Sequence, residues 1–235
     1  VENYFIIHTY VSQDRTDYNT LIPIIEKHKK MLGLNISEIT ADSGYCSEKN
    51  LKYLKNSNIE SYIKLQEHEK KKTRKYYRQS GKHFNMEKIE DLNSNGTKQA
   101  YYRCHDNRIL ELVRTETSIK SDFPREFKVY ASKDCSGCTH KPECLYRYDE
   151  NKDIHKNKIM KINEEWEELK KESEKNVLSE KGIKNRQIRS IQTEGHFGDM
   201  KENNGLRRFN HRSKEKNYKE LMFNTLFLNS PYAVV

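Results

Sequence analysis

The 235-residue sequence contains no apolar run that approaches the ~20 residues needed to span a membrane. No signal peptide opens the chain, and its five cysteines are an odd number, so a secreted disulfide framework is not expected. These absences predict a cytoplasmic protein with no membrane partner.

Apolar residues are also scarce. Hydrophobic and charged residues each make up 34% of the sequence, and the mean hydropathy is −1.08. The apolar residues nevertheless cluster in short patterned runs, which indicates a folded chain with polar insertions rather than a disordered one. The length allows one large domain or two small ones.

Positive charge exceeds negative charge. The 44 Lys and Arg residues against 35 Asp and Glu residues give a net charge of +9. This excess alone is a weak indication of a polyanionic partner. The basic residues are concentrated at 70–78, among tyrosines, and at 201–216. Either cluster could instead be a solvated surface.

The first third of the sequence predicts an alternating α/β pattern. Strands are predicted at 4–11, 36–41 and 59–65, with a helix from Thr16-Asp17 to Gly33 and another capped by Ser47. Helical crossovers of this kind imply neighbouring parallel strands with helices on the faces of the sheet.

The pattern then changes. Residues 66–100 lack a sustained period and are predicted to be a solvated excursion. Beyond them, strands are predicted at 101–104, 109–113 and 127–131, and helices at 163–177, 180–204 and 217–228. The α/β part is therefore predicted to be split into 1–65 and 178–235 by a polar, cysteine-bearing insertion at 66–177.

One candidate functional residue is Asp42, which follows the predicted strand at 36–41 and precedes Gly44. The carboxyl ends of parallel strands are where α/β sheets bind ligands, and a carboxylate there could bind Mg²⁺. The alternative is an aspartate that bonds the backbone of its own turn.

A second candidate is Glu194, which lies seven residues, or two helical turns, before Lys201 and therefore on the same helix face. Gly195 and Gly198 are unfavourable in a helix and suggest close approach by another backbone or by nucleic acid. An ordinary exposed glutamate is the alternative. The cationic run that follows would neutralise phosphates, unless it is merely a soluble loop; it comprises Arg207, Arg208, His211, Arg212 and Lys214.

The cysteines suggest a metal site. Cys135-x2-Cys138-x5-Cys144 supplies three thiols, and either Cys104 or His140 could complete the four ligands of a structural Zn²⁺ site; we favour Cys104. Reduced thiols or a redox pair are the alternatives.

Two segments carry a resemblance to a known family. Residues 41–50, with Asp42, and residues 189–212, with the spacing Glu-x2-Phe-Gly-x2-Lys, resemble DDE-type insertion-sequence transposases, and specifically the subgroup with a cysteine-bearing insertion. The resemblance implies a ribonuclease H-like fold and a triad of carboxylates that binds two divalent metals, Mg²⁺ or Mn²⁺. It also implies DNA as the partner, a dimer on DNA, and strand cleavage and transfer.

By this resemblance, Asp42 matches the second catalytic aspartate and Glu194 the glutamate. Lys201 matches a lysine that contacts the DNA end, and Arg189 matches a basic residue that precedes the glutamate. The family's first aspartate belongs on an earlier strand that has no match here; Asp14 and Asp17 are poor substitutes, and Asp17 is better explained as a helix cap. We therefore expect an N-terminally truncated transposase that is inactive alone, or alternatively a non-catalytic DNA- or partner-binding remnant.

Overall fold

The computed structural model describes residues 5–92, 98–120 and 123–229. The described helices are α1 (Leu21–Leu32), α2 (Glu48–Asn56), α3 (Arg74–Tyr77), α4 (Lys141–Cys144), α5 (Glu150–Asp153), α6 (Glu164–Leu178), α7 (Glu180–Arg189), α8 (Gly195–Glu202) and α9 (Lys214–Leu228). The described strands are β1 (Glu38–Ala41), β2 (Glu60–Ile63), β3 (Glu87–Leu92), β4 (Lys98–Arg103), β5 (Ile109–Lys120), β6 (Phe123–Ser132) and β7 (Ile159–Ile162). None of these helices is both long and apolar enough to cross a bilayer.

The chain divides into two compact units. The first combines the residues up to 66 with those from 169 onwards, and the second comprises residues 67–168. The first unit is therefore assembled from two segments that are distant in sequence.

The sheet of the first unit is a parallel pair. Strand β1 lies beside β2, with Glu38 opposite Glu60 and Ala41 opposite Ile63. Helix α2 makes the crossover, and the Ser47 hydroxyl accepts a hydrogen bond from the Asn50 amide at 3.2 Å, which confirms the predicted cap. Leu51 and Leu54 are buried on the inner face of α2.

The predicted first strand is wrong. Over residues 5–11 the structure has only a single-residue bridge at Phe5, while Tyr4 lies outside the described residues. The Ile6 amide donates to Asn229 Oδ1 at 2.9 Å, and Asn229 Nδ2 donates to the Ile6 carbonyl at 2.8 Å. A side-chain amide thus satisfies the backbone groups that a neighbouring strand would otherwise pair.

Helices α6 and α7 support the parallel pair. The Ser173 hydroxyl of α6 donates to the Ile63 carbonyl at 2.7 Å. Helix α7 packs against both strands, and Lys181 near its start forms ion pairs with Glu38 at 2.5 Å and Glu60 at 2.8 Å. Because Glu38 and Glu60 are the first residues of their strands, α7 begins at the amino ends of the sheet.

The second unit contains an antiparallel sheet in which neighbours in sequence are neighbours in space, in the order β3-β4-β5-β6-β7. Its buried core is formed by Met86, Tyr102, Leu110, Tyr130, Met160 and Ile162. The solvated excursion predicted over 66–100 contains β3 and the start of β4, which the sequence analysis did not predict. Only Ile89 of β3 is even half-buried, so the strand carries no apolar alternation that could reveal it.

Candidate functional site

Asp42 directly follows the last residue of β1, at the carboxyl end of the parallel pair. Its backbone caps a short 3₁₀ turn at Ser43–Tyr45, but its side chain makes no capping hydrogen bond. Asp42 is exposed. The explanation of Asp42 as a turn-capping aspartate therefore finds no support, and the carboxylate oxygens are accessible to a ligand.

A second carboxylate, that of Asp17, lies beside the same glycine as that of Asp42. A methyl group at Gly44 would stand 3.8 Å from Asp17 Oδ2 and 4.0 Å from Asp42 Oδ2, so both carboxylates flank the same glycine. The expected helix cap is not found at Asp17, which begins the 3₁₀ turn Asp17–Asn19 after the N-cap residue Thr16. No spacing in the sequence indicates that residues 17 and 42 are close.

Glu194 ends a π-helical segment, Ser190–Glu194, that continues α7. Such wide turns are rare in proteins, and those that do occur are often found at functional sites. The Glu194 side chain is 67% exposed, and its Oε1 lies 3.8 Å from Nη2 of Arg189. Arg189 is therefore positioned to balance the charge of Glu194 when no other cation is near.

Lys201 lies two turns further along α8, with its Nζ 5.9 Å from the centre of the Phe197 ring. A methyl group at Gly195 or Gly198 would meet no atom within 4 Å in the described part of the chain. The suggestion that another protein backbone approaches these glycines is therefore wrong for the described residues, and this helix surface is open.

The predicted DNA-binding arginines differ in their surroundings. Arg207 Nη2 lies 2.5 Å from Glu202 Oε2, which satisfies part of its charge. Arg208 and Arg212 are exposed, and neither forms an ion pair with any described residue. Lys201 is likewise exposed and without an ion pair over the same residues.

No group of three or more His, Cys, Asp or Glu side chains that could hold a metal ion occurs among residues 5–92, 98–120 and 123–229. The structure places Asp17 near Asp42, and Arg189 near Glu194. The binding of a divalent metal by Asp42 and Glu194 together stays a prediction.

Four cysteines line one cavity in the second unit: Cys104, Cys135, Cys138 and Cys144. Burial raises the pKa of the Cys144 thiol; nearby Lys158 counteracts this in part, and the other three thiols raise the pKa further. None of the five cysteines forms a disulfide bond, and Cys46 is buried in the first unit. Both candidates for the fourth ligand, Cys104 and His140, line this cavity together with the other three cysteines.

Comparison with known protein families gives a match to this chain. A family model described as a transposase DDE domain matches residues 103–230. No curated protein and no solved structure matches the chain. The matched segment contains Glu194, Lys201, the basic run and the four cavity cysteines, whereas Asp42 precedes it. Because this match covers more than half of the sequence, the chain belongs to the transposase DDE domain family.

Proposed function

We propose that this chain supplies Asp42 and Glu194 as metal-binding carboxylates of a DDE transposase that cleaves and joins DNA at the ends of an insertion sequence. The match to the DDE family over 103–230, which includes Glu194 and Lys201, carries this proposal. The parallel pair, with its α2 crossover and the packed helix α7, supports a ribonuclease H-like arrangement of the first unit.

The direction of α7 supports the convergence of the two carboxylates. Lys181 contacts Glu38 and Glu60 at the amino ends of both strands, and α7 packs against the strands from there. From Lys181 to Glu194 the helix advances about 20 Å, whereas β1 advances about 13 Å from Glu38 to Asp42. We therefore propose that α7, which starts at the amino ends of the strands, brings Glu194 towards the carboxyl edge, where Asp42 lies.

The donor groups suit a hard divalent ion. Asp42 and Glu194 are exposed carboxylates, and Mg²⁺ typically takes one or two carboxylates together with phosphate oxygens and water. When bound, Mg²⁺ or Mn²⁺ would activate water, and later a DNA 3′-hydroxyl, for in-line attack on phosphorus. The role of the two side chains is to fix negative charge at the reaction centre, and Arg189 must leave Glu194 for Glu194 to become a ligand.

The exposed cations next to this site would hold the DNA. Lys201, Arg208 and Arg212 are exposed and form no ion pair over the described residues, so each can contact a phosphate without breaking an ion pair. Arg207 must first exchange Glu202 for a phosphate. We also propose that two copies of the chain bind DNA together as a dimer. The mass of the complex formed with a DNA duplex that carries both ends of the element would test this, because a dimer adds the mass of two chains.

Only two carboxylates of the triad are assigned within these 235 residues, so we expect the chain alone to cleave DNA poorly. A direct test is therefore Mn²⁺ binding, measured by calorimetry and by the paramagnetic signal of the free ion. We expect Asp42→Asn and Glu194→Gln each to weaken Mn²⁺ binding at least ~10-fold. Asp17→Asn shows whether the neighbouring carboxylate contributes.

Asp199→Asn is the matched control, because Asp199 is an exposed carboxylate on the same helical stretch as Glu194 and should leave Mn²⁺ binding unchanged. Equal Mn²⁺ binding by the wild type, Asp42→Asn and Glu194→Gln would contradict the metal site. Salt-dependent DNA binding that persists in that case would favour the alternative function, a non-catalytic DNA- or partner-binding remnant. Efficient end cleavage by the chain alone would contradict the expectation that its activity is low.

A further inference from the structure

The cysteine cavity of the second unit lies where three separate elements end. Cys104 follows the last residue of β4, Cys135 and Cys138 lie in the loop after β6, and Cys144 is the last residue of α4. The cavity is therefore a point at which a single ligand could join the sheet to the helix that follows it.

Local backbone geometry presents the two central thiols to this cavity. The Cys138 amide donates to the Cys135 carbonyl at 3.4 Å, and Gly137 has a φ of +65°, a conformation that a residue with a Cβ rarely adopts. Asp134 closes the start of this turn, since its Oδ1 accepts from the Ser136 amide at 2.9 Å. The Cys-x2-Cys segment thus forms a tight turn, and both of its cysteines line the cavity.

The flanking thiols are fixed by their own contacts. The Cys104 amide donates to the Arg108 carbonyl at 2.9 Å within the β4–β5 turn. The Arg108 guanidinium in turn donates to the carbonyls of Asp134 at 2.8 Å and Ser136 at 2.6 Å, which ties this turn to the central one. The carbonyl of Cys144 lies only 2.0 Å from where a methyl group at Gly81 would be, so Gly81 allows that close approach.

The charge around the cavity is strongly positive. Its charged lining consists of four cationic side chains and a single carboxylate: Arg108, Lys141, Lys156, Lys158 and Asp106. Lys141 is buried, and Lys158 Nζ donates to the Cys144 carbonyl at 2.9 Å. Arg108 lies 3.6 Å from Asp134, and Lys156 lies 3.4 Å from Asp153, so these two cations already have carboxylate partners. Lys141 and Lys158 form no ion pair with a described residue, and four thiolates on one Zn²⁺ carry a net charge of −2 that would balance them.

We propose that Cys104, Cys135, Cys138 and Cys144 bind one Zn²⁺ in a closed structural site that joins β4, β6 and α4. Each thiol loses its proton to solvent when the ion binds, so four protons are released per ion and no residue is oxidised or reduced. The Cys135 sulfur already accepts a hydrogen bond from the Lys158 amide at 3.4 Å, an interaction that stabilises a thiolate.

The sulfurs must rotate to form this site, because the cavity thiols are not grouped as metal ligands over the described residues. Cys138 also lies close to the Asp106 carboxylate, whose pKa is lowered by Arg108 and, to a lesser extent, by this thiol, so binding of the ion would take the thiol away from that carboxylate. Asp106 would remain neutralised, since Arg108 Nε donates to it at 2.7 Å.

The experiment measures metal in the purified, reduced, full chain without DNA or Mg²⁺, so its outcome is independent of the proposed transposase activity. We expect one Zn²⁺ per chain and four protons released per ion. With Co²⁺ as the probe, we expect the absorption of a tetrahedral tetrathiolate site. Each of the four Cys→Ser substitutions should weaken Zn²⁺ binding by more than about 100-fold, beyond the ~10–100-fold typical of residues that only orient a ligand.

Cys46→Ser is the matched control, because Cys46 is a buried cysteine of the other unit and should leave zinc binding unchanged. If the Cys→Ser variants fail to fold, the Co²⁺ spectrum and proton count of the wild type still decide the matter. Less than one Zn²⁺ per chain, or equal binding by Cys135→Ser and Cys46→Ser, would overturn the proposal. Loss of binding in His140→Ala with retention in Cys104→Ser would overturn the four-cysteine assignment.

Discussion

Gly182 offers a sharp test of the packing that positions α7. It is the third residue of this helix, and its amide donates to the Ser179 hydroxyl at 3.0 Å. A methyl group here would stand 2.0 Å from the Asn176 carbonyl oxygen, whereas ordinary contacts begin near 3.4 Å. Gly182→Ala therefore requires either the end of α6 or the start of α7 to move.

Hydrogen bonds hold the Asn176 carbonyl and its residue in place, so this group cannot easily move away from a methyl group at Gly182. It accepts hydrogen bonds from the Ser179 amide at 3.2 Å and from the Ser179 hydroxyl at 2.7 Å, and the Asn176 side chain donates to the Ser61 carbonyl of β2 at 3.2 Å. Overpacking of this kind costs about 1–3 kcal/mol, and the better helix propensity of alanine offsets about 1 kcal/mol. We expect Gly182→Ala to lower the free energy of unfolding by up to about 2 kcal/mol and Tm by up to about 8 °C.

The matched control is Gly198→Ala, because Gly198 is also a helical glycine but a methyl group there meets no atom within 4 Å. We expect this variant to be more stable by about 1 kcal/mol. Urea denaturation followed by circular dichroism measures both. If the two variants change stability in the same direction, the close approach of Asn176 to Gly182 does not limit the fold, and our account of how α7 is positioned is wrong.

Two further predictions follow from the surface and the histidines. When DNA affinity is measured at several salt concentrations, Arg208→Ala should reduce the slope of log affinity against log salt concentration by about 0.9. Arg207→Ala should reduce this slope less, because Arg207 is paired with Glu202. Equal reductions of the slope in the two variants would contradict this distinction. Burial, then His28 and Lys27, lower the pKa of His8 from its ordinary 6.5, so the unfolded chain binds the proton more readily. The stability that neutral His8 provides is complete above about pH 6.5 and is lost as the pH falls from there towards the lowered pKa. When the free energy of unfolding is measured between pH 7 and 5, we expect it to change less with pH in His8→Gln than in the wild type. His211→Gln, which changes an exposed histidine, should keep the pH dependence of the wild type. Parallel profiles for the His8→Gln variant and the wild type would refute the assignment.

Local signals in the sequence were sufficient for several elements. Ser47 predicts the start of α2 because a capping hydroxyl acts within three residues, and the two strands joined by α2 are parallel because a helical crossover imposes that direction. The motif around Glu194 and Lys201 predicts the family without any knowledge of the fold. These features depend on neighbours in the chain, which the sequence displays directly.

Other features required long-range packing. Residues 5–11 have the composition of a strand, yet Ile6 pairs with the side chain of Asn229, more than 200 residues away. Strand β7 has only four residues and was not predicted, and it exists because β6 provides a partner for it. A strand is stable only when its backbone groups are paired, and composition does not reveal the partner.

The sequence by itself determined the polar, basic character of the chain, the acidic residue after a strand, the Glu194 motif and the close pair Cys135 and Cys138. Only the tertiary structure decided that Asp17 lies near Asp42, that Cys104 shares a cavity with the other three thiols, and that α7 begins at the amino ends of the parallel strands. The physical reason is that caps, turns and motif spacing act over a few residues, whereas the meeting of distant side chains depends on how sheets and helices pack.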